Sequence, residues 1–530
     1  MSKISANLEK SRPQNAVGKR ETDFDPSLAK KCLAAFAVLC IVCTMVFDKT
    51  QAYNGTPLVI TAMLVLVGTA VYLKINNKLT YRNIILLILA AGFILRLNYC
   101  LYTFVSATIR HRQHDVYDFG SGTGHAGYIE FFYDNGFKLP DFNPTTKAQF
   151  YHPPLHHLLA AMWMRILTTF GATYDRAIGS IQFLTLFYSC CVMLVTERIL
   201  DILNIIKKPK VIALAIVACH PSSLLIAGSI NNDGLAFLFM MLSFYTAIRW
   251  YKNPTVKNIL LIAVCIGAGM STKLSAALVA PPIALLFLIK LIKDKKNIAE
   301  NIRQYCLFGC VCLPLGLWYS VRNFIKYDVE FNYVPRLSDT SDQYVGFHTA
   351  YERLFDLSYH PFENVFLNRV HTGADYFEYN PFVAIIKTSL YGEYKYENVP
   401  EGVCRVLLIL NILLITLSII AMVYCCVKKS KYLNRDMKIY IMAYHLLLFI
   451  NFIIFAFQYP HNCSIDFRYI LPTMITGALF VGLFPQQLED NNNKKDTMVV
   501  NVVNYFTIAL VSAFCLFSVI VYVMLGMKKH

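Results

Sequence analysis

Apolar runs of about 17–25 residues, the length that crosses a bilayer core, recur along this chain between short polar segments. They predict an all-α fold, a polytopic transmembrane helical bundle of about thirteen spans. The spans are expected near 32–47, 57–74, 83–105, 177–198, 211–227, 233–250, 258–272, 276–292, 303–321, 403–427, 437–457, 468–485 and 502–526. The stretch 155–170 is apolar too, but it is short, carries Arg165 and follows Pro153-Pro154. Its Leu155, Leu158, Leu159, Met162, Ile166 and Leu167 fall on one helical face, which suits a helix lying in the membrane interface.

Charge orients the pattern. The N-terminal tail holds Lys3, Lys10, Arg12, Lys19, Arg20, Lys30 and Lys31, so it is expected in the cytoplasm. With 155–170 left out as a span, the basic segments at Lys74/Lys78/Arg82, Lys207/Lys208/Lys210, Lys252/Lys257, Lys290–Lys296 and Lys428–Arg435 fall on that same side. Counted as a span, 155–170 would invert all that follow it; Lys528/Lys529 alone fall on the wrong side of the chosen topology. The chain then reads as a cytoplasmic tail (1–31), two N-terminal helices (32–82) and a larger membrane domain (83–526). Two long loops, about 106–176 and 323–402, lie on the extracytoplasmic face of a multi-pass cell-membrane protein, and chemistry is expected there.

Composition fits this reading: 56% of residues are hydrophobic, 15% are charged and mean hydropathy is +0.46. The net charge of +16 would hint at nucleic acid in a soluble protein. Here Lys and Arg cluster between apolar runs, no basic surface interleaves with aromatics, and nucleic acid is excluded as a partner. The 16 cysteines sit mostly in apolar runs without metal spacing and read as small buried hydrophobes. No signal peptide is evident in the polar first 30 residues.

The first long loop gathers His111, His114, Asp115, Asp118, His125, Glu130, His152, His156 and His157. Asp115 closely follows a span, where a carboxylate can act as general base on an acceptor hydroxyl; it reads equally well as an N-cap or as an ion pair with Arg110 or Arg112. The histidines leave a divalent metal open, although no spacing matches a zinc pattern, and no metal ligand is assigned. Asn231, Asn232 and Asp233 stand at the mouth of a span, as functional groups or as a helix N-cap. Lys273, Arg322 and Arg468 fall at span ends on the same face; each reads alone as a snorkelling cation, and together as a phosphate site. The second loop carries Lys387, Tyr391 and Glu393 in KTSLYGEY, with aromatics that suit either sugar rings or loop packing. Asn54-Gly-Thr and Asn462-Cys-Ser form two short glycosylation patterns.

The ordered set HDV, GHAGYIEF, FYHPPLHHLL, HPSSLLIAGSINNDGLAF, STKLSA, WYSVRN, KTSLYGEY and FRYILP resembles the GT-C superfamily of membrane glycosyltransferases, over roughly 83–485. It is most similar to the branch of protein O-mannosyltransferases and the lipid A aminoarabinose transferase. The resemblance implies a GT-C-like core beginning near Asn83, a polyprenyl-phosphate-linked sugar donor, and a lipid, protein or glycan acceptor. It also implies an acidic catalytic residue in the first loop, which falls on Asp115. Many relatives carry an adjacent Asp-Glu pair there; this chain has Asp115-Val116, so Asp118 is the second candidate. Candidate substrate-binding residues are His125, Tyr128, His152, Asn232, Asp233, Lys273, Arg322, Lys387, Glu393 and Arg468. The WWDYG-type motif of oligosaccharyltransferases is absent, which argues against transfer of a large glycan onto Asn. The rival expectation is a transporter or flippase; against it, no paired half-repeats with interrupted spans are visible.

Overall fold

The computed structural model describes residues 24–48, 50, 53–103, 118–357, 360–368, 378–393, 395–491 and 497–527. The described residues form helices and loops, with one isolated β-bridge, Tyr344–His461, and no strand. In chain order the helices are α1 (Pro26–Val46), α2 (Thr56–Ile75), α3 (Tyr81–Tyr102), α4 (Gly124–Asp134), α5 (Leu155–Thr169), α6 (Tyr174–Gly179), α7 (Ile181–Ile202), α8 (Lys207–Cys219), α9 (Pro221–Gly228) and α10 (Asp233–Lys252). There follow α11 (Val256–Thr272), α12 (Ala280–Lys293), α13 (Ile298–Tyr327), α14 (Ala350–Phe355), α15 (His360–Glu363), α16 (Pro381–Tyr391), α17 (Glu401–Val427), α18 (Arg435–Gln458), α19 (Pro472–Asn491) and α20 (Thr497–Leu525).

Among the described residues ten helical segments are long and apolar enough to cross a membrane, or twelve if each of two bent pairs is one span. Each expected span coincides with a helix, and the one outside those twelve is the 17-residue α11. The α5 helix has 15 residues, about 22 Å at 1.5 Å per residue, and stays below spanning length. It turns His156, His157, Ala160, Ala161 and Met164 inward and leaves Met162, Ile166 and Phe170 exposed.

Proline sets both bends. Pro221 opens α9 after a 45° turn from α8, and Pro472 opens α19 after a 49° turn from the preceding 3-10 segment, because a proline ring cannot extend the upstream hydrogen-bond ladder. The carbonyls freed at the end of α8 are taken up by Arg96 of α3. Its guanidinium donates to the carbonyl oxygens of Ala218 (2.8 Å), Val217 (3.2 Å) and Gly92 (2.9 Å), and to Ser189 Oγ (2.8 Å). A fully buried arginine is thereby satisfied, and a broken span is closed. At Gly482 a Cβ would lie 2.4 Å from the Pro209 carbonyl oxygen, so only glycine lets α19 approach α8 this closely.

Ion pairs tie the helices at the bundle end away from Asp233. Lys210 meets Glu197 at 2.6 Å with both side chains buried, and Lys293 reaches Asp436 at 2.5 Å, with Tyr251 donating to the same carboxylate.

Candidate functional site

The start of α10 meets the end of α11. Asn232 occupies the N-cap position of α10 without capping it; its amide donates instead to the Thr272 carbonyl at 2.9 Å. Asp233 follows in the first turn, its backbone N–H held by Asn231 Oδ1 at 2.9 Å. Lys273 is the C-cap residue of α11, and its ammonium pairs with Asp233. Each charge sits at the helix end whose dipole favours it.

The 3-10 turn Phe467–Ile470 brings Arg468 to the same point. Asp466 caps this turn by accepting the Arg468 backbone N–H at 2.8 Å. The guanidinium lies 4.0 Å from Asp233, donates to Tyr469 Oη at 3.2 Å, and feels the carboxylates of Glu393, Asp233 and Asp466. Its Nε is buried and has no hydrogen-bond acceptor among the described residues. Lys273 and Arg468 both stand over the Tyr469 ring, at 5.4 and 5.1 Å. A planar five-donor fork beside an ammonium, with one donor unspent, is an arrangement ready for a phosphate.

A ladder of imidazoles closes the other side. His125 of α4 stacks on His157 of α5 (5.2 Å, 4°) and on His152 (5.8 Å, 7°), and His156 meets His157 edge-on at 5.5 Å. His125 Nδ1 and His157 Nε2 share a hydrogen bond of 2.9 Å, and His156 Nε2 bonds the Ile230 carbonyl at 2.8 Å. Burial is the main force holding the rings neutral. It keeps His125, His152 and His157 well below the usual imidazole range and pushes His156 down to about 4. The Lys273 charge adds to this at His152.

An unfolded chain protonates these rings near pH about 6.5. Their contribution to stability is therefore complete above that pH and is lost as pH falls toward about 4, where the unfolded state binds more protons. The thermal midpoint of the detergent-solubilised protein should drop between about pH 7.5 and pH 5; an unchanged midpoint would contradict neutral buried rings.

The remaining expected residues fall in several places. Tyr128 is fully buried, lies 4.4 Å from the His157 ring and donates to Tyr319 Oη at 3.0 Å, forming the floor of the ladder. Asp118 sits on the turn before α4, where its carbonyl accepts from Ser121 and Glu130 grips the Gly120 N–H at 2.8 Å. Asp115, with His111 and His114, lies outside the described residues. Arg322 joins a separate set of contacts, bonding the Pro140 carbonyl and Asn323 Oδ1 (2.9 Å) and facing Tyr319 and Tyr327. Lys387 pairs with Glu378 at 2.9 Å, both side chains fully buried, and so braces the second loop. Glu393 is buried and acts on Arg468. Asn462 is also buried, donating to the Glu378 carbonyl at 2.7 Å.

Sequence reasoning had not singled out Tyr469 or Asp466, and had grouped His157 with the first-loop histidines without choosing it as a substrate-binding residue. The first two flank Arg468 in DFRY, and a doublet in HPPLHHLL held the third. Among the described residues no group of three His, Cys, Asp or Glu side chains is placed to hold a metal ion.

Next to the charged cluster is an apolar cavity of about 450 Å³ between α16, α17, α18 and α19. Phe382, Ile386, Leu414, His445, Phe467 and Met474 are among its walls. Phe467 and Ile470 belong to the same short turn as Arg468, so one element lines the apolar space and carries the cation.

Residues 151–318 match the family described as dolichyl-phosphate-mannose-protein mannosyltransferase. No curated protein matches the chain. Among solved structures, the oligosaccharyltransferase AglB of Archaeoglobus fulgidus, in complex with an inhibitory peptide and a dolichol-phosphate, is 12% identical with a TM-score of 0.47. That alignment covers 82% of this chain and 55% of that one. The A. fulgidus oligosaccharyltransferase tethered by a disulfide bond to an acceptor peptide containing the NVT sequon is 14% identical, with a TM-score of 0.49 and coverage of 83% and 55%. The chain thus spans about half the length of these two proteins. The matched segment contains the His152–His157 run, Asp233 and Lys273.

Proposed function

We propose that this protein moves a sugar from a polyprenyl-phosphate-linked donor to an acceptor hydroxyl at the extracytoplasmic face of the cell membrane, with its N-terminus in the cytoplasm. The observation that carries the reading is the partly buried Arg468, its Nε–H unspent, beside Lys273 and at the edge of an apolar cavity. An amphiphile with a hydrocarbon tail and a phosphate head matches both halves of that site. The family matched by residues 151–318 is described by a dolichyl-phosphate-linked sugar, which supports the same donor class.

In the proposed reaction the donor phosphate lies against Arg468 and Lys273. A carboxylate of the first loop, Asp115 or in second place Asp118, takes the proton from the acceptor hydroxyl. The acceptor oxygen bonds to the anomeric carbon as the bond from that carbon to the phosphate oxygen breaks, and configuration inverts. The bonding pair leaves on the lipid phosphate, where the two cations balance the added charge. Asp233 holds both cations before the donor arrives, and Glu393 and Asp466 add negative charge around Arg468.

The two bent spans are a geometry that transporters also use, so movement of the lipid across the membrane is the competing reading. Purified protein in nanodiscs, given a panel of synthetic polyprenyl-phosphate sugars, should release free lipid phosphate only when an acceptor is present. Transbilayer movement of the lipid in vesicles, with no release from any donor, would overturn the transferase reading.

A further inference from the structure

Two nitrogens of the histidine ladder decide its proton arrangement. His156 Nε2 faces the Ile230 carbonyl oxygen at 2.8 Å and must carry a hydrogen, which leaves its Nδ1 bare. His157 is also fully buried, and its Nδ1 has no partner among the described residues. In the bond between His157 Nε2 and His125 Nδ1, one ring donates and the other accepts. If His125 donated, His157 would carry its hydrogen on Nδ1, as a buried N–H with no acceptor. If His157 donates, its orphan nitrogen is a bare lone pair. An orphaned buried donor is the rarer and costlier arrangement, so the second form is favoured.

That choice fixes His125. With Nδ1 accepting, its hydrogen sits on Nε2, which has no hydrogen-bond partner among the described residues and belongs to a partly exposed side chain. The Asp233 carboxylate and the Lys273 ammonium both act on this ring, which places it beside the charged cluster.

We propose that His157 is a positioning residue that holds His125 in its Nε2–H form, so that His125 offers a neutral hydrogen-bond donor to a phosphate-linked sugar bound beside Lys273 and Arg468. This rests on the donor class proposed above. The ring lies nearly parallel to both His157 (5.2 Å) and His152 (5.8 Å), and of the two only His157 shares a hydrogen bond with it, so that neighbour sets its tautomer. A donor that stays neutral adds no fixed charge to a pocket that must also admit the acceptor.

The test uses the full chain in nanodiscs with ¹⁵N-labelled histidine, the His125 resonances assigned by loss in His125→Gln. The wild type should show a protonated Nε2 and a bare Nδ1 at His125. His157→Phe, which keeps a ring but removes the donor, should shift His125 toward the Nδ1–H form and lower acceptor-dependent release of lipid phosphate by about tenfold. His157→Gln, whose side-chain amide can still donate, should rescue both. A bare Nε2 in the wild type, or an unchanged tautomer in His157→Phe, would overturn the proposal. Expected tautomers in a protein that releases no lipid phosphate from any donor would uphold the positioning role and remove the transferase reading instead.

Discussion

Asp115→Asn should lower acceptor-dependent turnover by about 10²–10⁴-fold, the usual contribution of a general base, while the protein still inserts and binds donor. The amide keeps the size of the carboxylate but cannot take a proton, so the loss belongs to the chemical step. Of the two first-loop candidates, Asp115 follows the α3 span more closely, whereas Asp118 belongs to the turn that enters α4. Asp118→Asn should therefore cost much less. The measurement is release of lipid phosphate, with donor affinity determined separately on the same preparations. If Asp118→Asn proved the more damaging change, the roles would be exchanged; full turnover in both variants would remove a carboxylate base from the first loop.

Arg468→Ala or Lys273→Ala should each reduce kcat by about 10²–10³-fold, as expected for loss of a pre-placed group that stabilises charge on the leaving phosphate. The two cations share Asp233, so their effects should combine less than additively in the double variant. Arg468→Lys should recover only part of the loss, because an ammonium cannot reproduce the planar fork. Lys387→Met provides the contrast. It removes the ammonium that balances the buried Glu378 carboxylate, which costs about 3–5 kcal/mol of stability, and its defect should appear as poor yield and a lowered thermal midpoint. If Lys387→Met instead gave a stable protein with kcat reduced as far as in Arg468→Ala, the cationic site would have to be redrawn.

Burial, as much as sequence distance, separates these two classes of lysine. Lys273 and Lys387 both stand in short polar motifs, STKLSA at the end of α11 and KTSLYGEY on α16 of the second loop. Lys273 keeps 16% of its side-chain exposure and shares a carboxylate with Arg468 beside a cavity, whereas Lys387 has none and spends its charge on Glu378. The first can meet a ligand without unfolding anything; the second cannot.

The helices themselves could be read from one dimension. A run long enough to span hydrocarbon must satisfy its backbone within itself, so length and apolarity predict a helix without knowledge of its neighbours. The same logic separated α5 from the spans and placed Asp233, Lys273 and Arg468 at helix ends of one face. Which of those ends touch was not legible. Asp233 and Arg468 are brought together across most of the membrane domain, Arg322 turns instead to Pro140, and Arg96 is consumed in closing the α8 bend. In a span that is apolar on every side, periodicity scarcely distinguishes the face toward lipid from the face toward protein. Such pairings depend on how the bundle packs, because a buried charge or imidazole takes its partners from whichever chain segment folding delivers beside it.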